Sequence, residues 1–157
     1  MTVFRWNSLL AAFALAAMTV AVYWAGLQGG FYFDDEANLL ILESVRLEVL
    51  NLPNLRDAAN SGVAGFGGRP IAQLSFALNH YFSGFDAFAF KATNLAIHLI
   101  AGIFVYLVAR RLLALRMYAG VAAMLWLLHP IQVTSALYVV QRMTSLSALF
   151  LLAGFLL

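Results

Sequence analysis

The chain has 157 residues, 64% of them hydrophobic and only 10% charged, with a mean hydropathy of +0.88 and a formal net charge of +2. A soluble domain carries about a quarter charged residues, so this composition belongs to an integral membrane protein. Cys is absent, which excludes disulfides, thiolate nucleophiles and Cys-ligated zinc, and the scattered basic residues form no block suited to nucleic acid.

In chain order, residues 9–28 carry no charge and form the first predicted span. Twenty helical residues rise about 30 Å, enough to cross the hydrocarbon core. A cleaved signal peptide is the competing reading of an Ala-rich stretch near a start Met, but the run is long for one, and a retained helix is expected. An outer loop follows over 29–90, about sixty residues, which is too long for a simple turn and suggests function or structure of its own.

That loop opens on Phe33-Asp34-Asp35-Glu36. Desolvation and mutual repulsion at the edge of a bilayer can lift a carboxylate pKa toward working pH. Asp34 and Asp35 are therefore candidates for a general base or for ligands of a divalent cation such as Mg or Mn. The alternative is a helix cap that marks the water boundary. Ala37 to Leu50 sets Leu39, Leu40, Leu42, Val45, Leu47 and Leu50 against Glu43, Arg46 and Glu48. The pattern approximates a helical stripe and predicts an interfacial helix, ended by Asn51-Leu52-Pro53-Asn54. Gly62, Gly65, Gly67 and Gly68 form a glycine-rich stretch before Arg69-Pro70, with no Gly-Lys-Ser/Thr to make it a nucleotide loop. Arg69 carries a planar, always-charged group suited to phosphate or carboxylate; an ion pair with a loop acid is the alternative. Ile71 to Phe82 is a second apolar helix, bearing Gln73, Asn79 and His80.

The second span is predicted over 91–109. His98 lies within it and is costly in lipid unless it faces protein; Asn94, one turn earlier on the same face, is the expected partner. A loop over 110–116 holds Arg110, Arg111 and Arg116. The third span, 117–130, closes on His129-Pro130, because Pro lacks an N–H and disfavours helix in the residue before it. His129 at this boundary could bind phosphate, relay a proton or ligate metal, or simply bond to backbone. Residues 131–141 read as a short interfacial or re-entrant segment. The last span, 142–157, is cut short at about 22 Å, so the chain is expected to be a fragment of a longer protein. Arg142 at its outer end could neutralise a lipid phosphate or snorkel to the headgroups. Trp6, Tyr23, Trp24, Tyr118 and Trp126 are expected as interface anchors.

All seven acidic residues lie between Asp34 and Asp86. By the positive-inside rule, Arg110, Arg111 and Arg116 mark a cytoplasmic loop, and Arg5 agrees with a cytoplasmic N-terminus. The acidic loop and the His129-Pro130 corner then meet on the opposite side.

Phe31-Tyr32-Phe33-Asp34-Asp35, followed by Gly68-Arg69-Pro70-Ile71 and Leu74-Ser75-Phe76-Ala77-Leu78-Asn79, resembles the first outer loop of the transmembrane O-mannosyltransferases that carry tetratricopeptide repeats. Asn94-Leu95 with His98, and Leu128-His129-Pro130 followed by Val139-Val140-Gln141-Arg142, are similar to the next helices of their bacterial relatives. The resemblance implies the all-α, polytopic helical fold of the glycosyltransferase C superfamily, of which this chain would be the N-terminal part. It implies a bacterial inner-membrane enzyme that moves a sugar from a polyprenyl-phosphate donor to a hydroxyl of a protein or glycan acceptor on the periplasmic or lumenal side. It also implies an outer-loop Asp as base. In the related protein O-mannosyltransferases an Asp-Glu pair follows an aromatic residue; by this resemblance Asp34 takes the Asp place and Asp35 the Glu place.

The expected mechanism has Asp34, desolvated at the membrane edge, take the acceptor proton. Asp35 orients the acceptor or shares a metal, while Arg69, His129 and Arg142 stabilise the departing lipid phosphate. Two rivals stand beside it: an O-antigen polymerase or ligase, and a non-enzymatic membrane scaffold whose acids only bind partners.

Overall fold

The computed structural model describes residues 2–62 and 68–157, with side chains from residue 9 onward. The side chains of Arg5 and Trp6, and Gly65 and Gly67 of the glycine-rich stretch, lie outside the described residues. The chain is an all-α membrane protein, with no strand among the described residues. Its helices are α1 (Thr2–Leu27), α2 (Leu52–Asn60), α3 (Pro70–Ser83), α4 (Ala87–Leu112), α5 (Arg116–Leu128), α6 (Val133–Leu137) and α7 (Arg142–Gly154).

Among the described residues, two helices are long and apolar enough to cross a membrane: Leu9–Leu27 of α1, and α4. Arg116–Leu128 and Pro130–Leu137 form an apolar helix pair bent by 50°, with the geometry of a broken span or a re-entrant loop. The break falls at His129-Pro130, where Pro130 cannot donate to the helix. A shorter apolar helix runs from Val139 to Gly154.

Helix α4 is the hub, packed chiefly on α5 and α7 and then on α6 and α1. Its start is capped by the Asp86 carboxylate, which accepts from the Phe88 N–H at 3.1 Å. Arg110 and Arg111 occupy its last turn, where cations complement the helix dipole. Arg111 also reaches the far end of α7, donating from Nη1 to the Phe155 carbonyl at 3.1 Å. The helices approach closely at glycines. A Cβ on Gly102 of α4 would stand 2.5 Å from the Leu127 side chain of α5, and one on Gly26 of α1 would collide with Leu137 of α6.

The long segment between α1 and α4 folds down onto the ends of these helices. Leu39 and Val45 are buried with Phe76 of α3, Phe90 of α4, Val139 and Val140 of the 3-10 turn before α7, and Met143 in the first turn of α7. Burying each large apolar side chain contributes about 1.5–3 kcal/mol, so this cluster is the main anchor of the loop.

The structure corrects several expectations. Ala37–Leu50 is not one helix. It forms a π-type turn over Glu36–Leu40 and a 3-10 turn over Glu43–Val45, then runs without helix to Asn51. The buried residues are Leu39, Val45 and Leu47, whose spacing fits no helix face; packing against α3 overrides the local stripe. Asn51-Leu52-Pro53-Asn54 begins a helix rather than ending one. The Asn51 side chain accepts from the Asn54 N–H at 2.8 Å, and Pro53 sits in the first turn of α2, where its missing N–H costs nothing. Asn94 and His98 do not bond to each other. His98 Nε2–H donates to the Leu127 carbonyl at 3.0 Å and its ring stacks on Trp126 at 4.7 Å. Tyr23 is buried, and its hydroxyl donates to that same carbonyl at 3.1 Å, so Tyr23 packs inside the bundle, while the half-buried Trp126 stacks on His98.

Candidate active site at the acidic turn

The acidic doublet sits on a tight turn. The Asp35 N–H bonds to the Tyr32 carbonyl and the Glu36 N–H to the Phe33 carbonyl, each at 3.2 Å. Phe33 lies in the left-handed region with φ 51°, rare for a bulky residue. That twist separates the two carboxylates. Asp35 is fully buried and Asp34 is exposed. The desolvation expected of Asp34 thus falls on its neighbour.

Asp35 binds the turn to the other end of the chain. One carboxylate oxygen accepts from the Val140 N–H at 2.8 Å and the other from the Tyr32 N–H at 3.2 Å. Burial raises its pKa above the ordinary carboxylate range. Those two hydrogen bonds and the charge of Lys91 oppose the rise without cancelling it, while the Asp34 charge adds to it. The folded state therefore holds the Asp35 proton more tightly than the unfolded chain does. Its stabilising contribution is complete below the ordinary Asp pKa and is lost as pH rises through the folded value. Thermal melts of the full-length protein in detergent, run from about pH 4 upward, should show stability falling across this window. Asp35→Asn should flatten that decline; an unchanged slope would disprove the assignment.

Lys91 is buried in α4 and donates from Nζ to the carbonyls of Gly29 at 2.8 Å and Gly26 at 3.3 Å. It thereby caps the C-terminal end of α1, where free carbonyls attract a cation. The acidic turn hangs directly from this capped end.

Arg142 is fully buried at the junction of α3, α4 and α7. Its Nε donates to Asn94 Oδ1 at 2.7 Å, and Nη2 donates to Asn79 Oδ1 and the Phe90 carbonyl, both at 2.8 Å. Its Nη1 donates to the Ser75 carbonyl at 3.1 Å and approaches Ser75 Oγ at 3.4 Å. The guanidinium also lies over Phe76 at 4.7 Å and Phe90 at 5.4 Å. Its five contacts match its five N–H donors in number, and all the acceptors are neutral. This geometry makes Arg142 a clamp between helices, with no donor left over for a lipid phosphate.

Arg69 is exposed and starts α3 from a left-handed backbone with φ 51°. Its Nη1 lies 3.1 Å from Met143 Sδ. The Asp34 N–H donates to the Tyr138 hydroxyl at 2.9 Å. Asp34, Asp35 and Arg69 thus all reach the short strap from Tyr138 to Met143. His129 does not join them. It is exposed and caps its own turn, with Nδ1 accepting from the Ile131 N–H at 3.2 Å. That bond leaves Nε2–H as the donor of the ring.

Both Asp35 oxygens are occupied by backbone N–H groups, and no cluster of three His, Asp or Glu side chains suited to a metal occurs among the described residues. The residues that the sequence left unmarked are Tyr138 and Lys91. Lys91 alone carried a signal, as a lone cation at the start of an apolar helix.

The chain is homologous to protein O-mannosyl-transferases. It is 28% identical to Protein O-mannosyl-transferase TMTC3 of Mus musculus over 152 residues, covering 90% of this chain and 16% of that protein. Identity to Protein O-mannosyl-transferase Tmtc1 of Drosophila melanogaster is 30% over 125 residues, covering 73% of this chain and 14% of that one. For human Protein O-mannosyl-transferase TMTC1 it is 28% over 165 residues, covering 93% and 17%. The chain therefore spans only about a sixth of the length of these curated relatives. No protein-family model and no solved structure matches it.

Proposed function

We propose, from this homology with the protein O-mannosyl-transferases, that the chain is the acid-bearing part of a membrane glycosyltransferase that uses a polyprenyl-phosphate sugar. The protein lies in a bacterial inner membrane with its N-terminus in the cytoplasm, and the acidic turn faces the periplasm. The distribution of charge supports this orientation: the acids lie on the outer loop, and Arg110, Arg111 and Arg116 on the short loop between α4 and α5.

The observation that carries the reading is that the turn bearing the exposed Asp34 carboxylate, through the Asp34 backbone N–H, and the exposed Arg69 guanidinium both contact one strap, Tyr138 to Met143. Asp34 takes the proton from the acceptor hydroxyl. The hydroxyl oxygen bonds to the anomeric carbon as the bond from that carbon to the phosphate oxygen breaks, and the lipid phosphate leaves with the electron pair. In-line attack inverts the anomeric carbon. Arg69 meets the charge that grows on the phosphate. Asp35 acts by holding the turn against the Val140 N–H, and Arg142 by holding α3, α4 and α7 around the strap.

Full-length protein in lipid nanodiscs, supplied with radiolabelled polyprenyl-phosphate mannose and a Ser/Thr-containing peptide, should move label into the peptide. Label that stays wholly in the lipid, with folded protein present, would favour the scaffold.

A further inference from the structure

We propose that Tyr32, Phe33 and Tyr138, together with the Asp34 carboxylate, form a subsite for a hexose ring, that of the sugar on the lipid-linked donor. This deepens the transferase reading and rests on it.

Phe33 bears two costs at once. Its ring is 81% exposed, and its backbone sits at φ 51°, a conformation that glycine takes freely and a bulky residue does not. The ring belongs to none of the buried apolar clusters and touches only the Tyr32 edge among aromatic neighbours. An outlier of this kind points to a use for the ring outside the fold.

The surroundings are equally specific. The Tyr32 ring is 44% exposed and stacks on Tyr138, with centroids 4.8 Å apart and planes at 19°. Phe33 meets Tyr32 edge-on at 5.3 Å. The Tyr138 hydroxyl accepts from the Asp34 N–H, which leaves its own O–H to donate. The exposed Asp34 carboxylate oxygens accept. A hexose ring presents an apolar C–H face and a rim of hydroxyls that both donate and accept. The cluster offers aromatic surface, one fixed O–H donor and a carboxylate acceptor side by side. An acyl chain would use the aromatic surface alone, and would need neither the Tyr138 hydroxyl nor Asp34.

The test uses full-length protein in nanodiscs and two probes: polyprenyl-phosphate mannose and polyprenyl phosphate without sugar. Phe33→Ala should weaken binding of the sugar-bearing lipid about tenfold and leave the sugar-free lipid unaffected. Phe33→Trp should restore it. Because the ring lies outside the core, neither change should disturb folding, which a thermal melt checks. Equal weakening for both probes would make Phe33 a lipid anchor and overturn the subsite, as would unchanged binding of both. A wild-type protein that transfers mannose while Phe33→Ala binds normally removes the subsite alone. A wild-type protein that neither transfers nor distinguishes the probes removes the transferase reading and the subsite together.

Discussion

Asp34→Asn should lower transfer by about 10²–10⁴-fold in the full-length protein while leaving its thermal stability unchanged. The side chain is exposed, and the turn uses only its backbone groups, the N–H to the Tyr138 hydroxyl and the carbonyl that accepts from Asn38. An amide keeps the shape and removes the base. The adjacent Asp35→Asn should behave in the opposite way. Both Asp35 oxygens accept from backbone N–H groups, so the new NH₂ must face a donor. The expected loss is about 1–3 kcal/mol of stability, with reduced turnover as a consequence of a displaced turn. Steady-state transfer assays and thermal melts on the two variants separate these roles. If Asp34→Asn turns over normally while properly folded, Asp34 is not the base.

Arg142→Ala should destabilise the protein by about 3 kcal/mol or more, enough to deplete it from the membrane fraction. The truncation strands two side-chain acceptors inside the helix junction, Asn94 Oδ1 and Asn79 Oδ1, and takes a second donor from the Ser75 and Phe90 carbonyls, which keep their helical partners. Each buried acceptor without a partner costs about 1–3 kcal/mol. Arg142→Met fills the volume but supplies no donor, and should be nearly as damaging. Arg142→Lys keeps the charge and three of the donors in a different geometry, so partial recovery is expected. Calorimetry in detergent measures all three. A melting temperature for Arg142→Ala within a degree or two of wild type would show that the clamp carries little weight.

Much of the architecture was legible because hydrophobicity dominates it. The uncharged runs, the break at His129-Pro130 and the helix after Arg69-Pro70 all follow from residue types with unambiguous local effects. Legibility failed wherever a distant contact decided the outcome. The Ala37–Leu50 stripe looked helical, but Leu39 and Val45 answer to Phe76, Phe90 and Val139, which lie on other elements. Pro53 looked like a stop because a proline in sequence is ambiguous between the end and the first turn of a helix. Asn51 was the residue that decided it. In the site, the doublet and Arg69 could be marked from their chemistry alone. Which aspartate is buried could not, since that depends on a left-handed backbone at Phe33 with no glycine to announce it. Arg142 looked like a headgroup ligand because its acceptors lie on α3 and α4, far away in sequence.

The kink at His129-Pro130 has a bearing on how the bundle assembles. The Leu127 carbonyl, at the end of α5, is bonded by the Tyr23 hydroxyl from α1 and the His98 ring from α4. In hydrocarbon a peptide oxygen without a donor costs several kcal/mol. The third segment thus enters lipid owing a hydrogen bond that only its predecessors can supply. Biogenesis should follow the order of synthesis, with the first two helices paired and waiting before the third is released sideways from the insertion machinery.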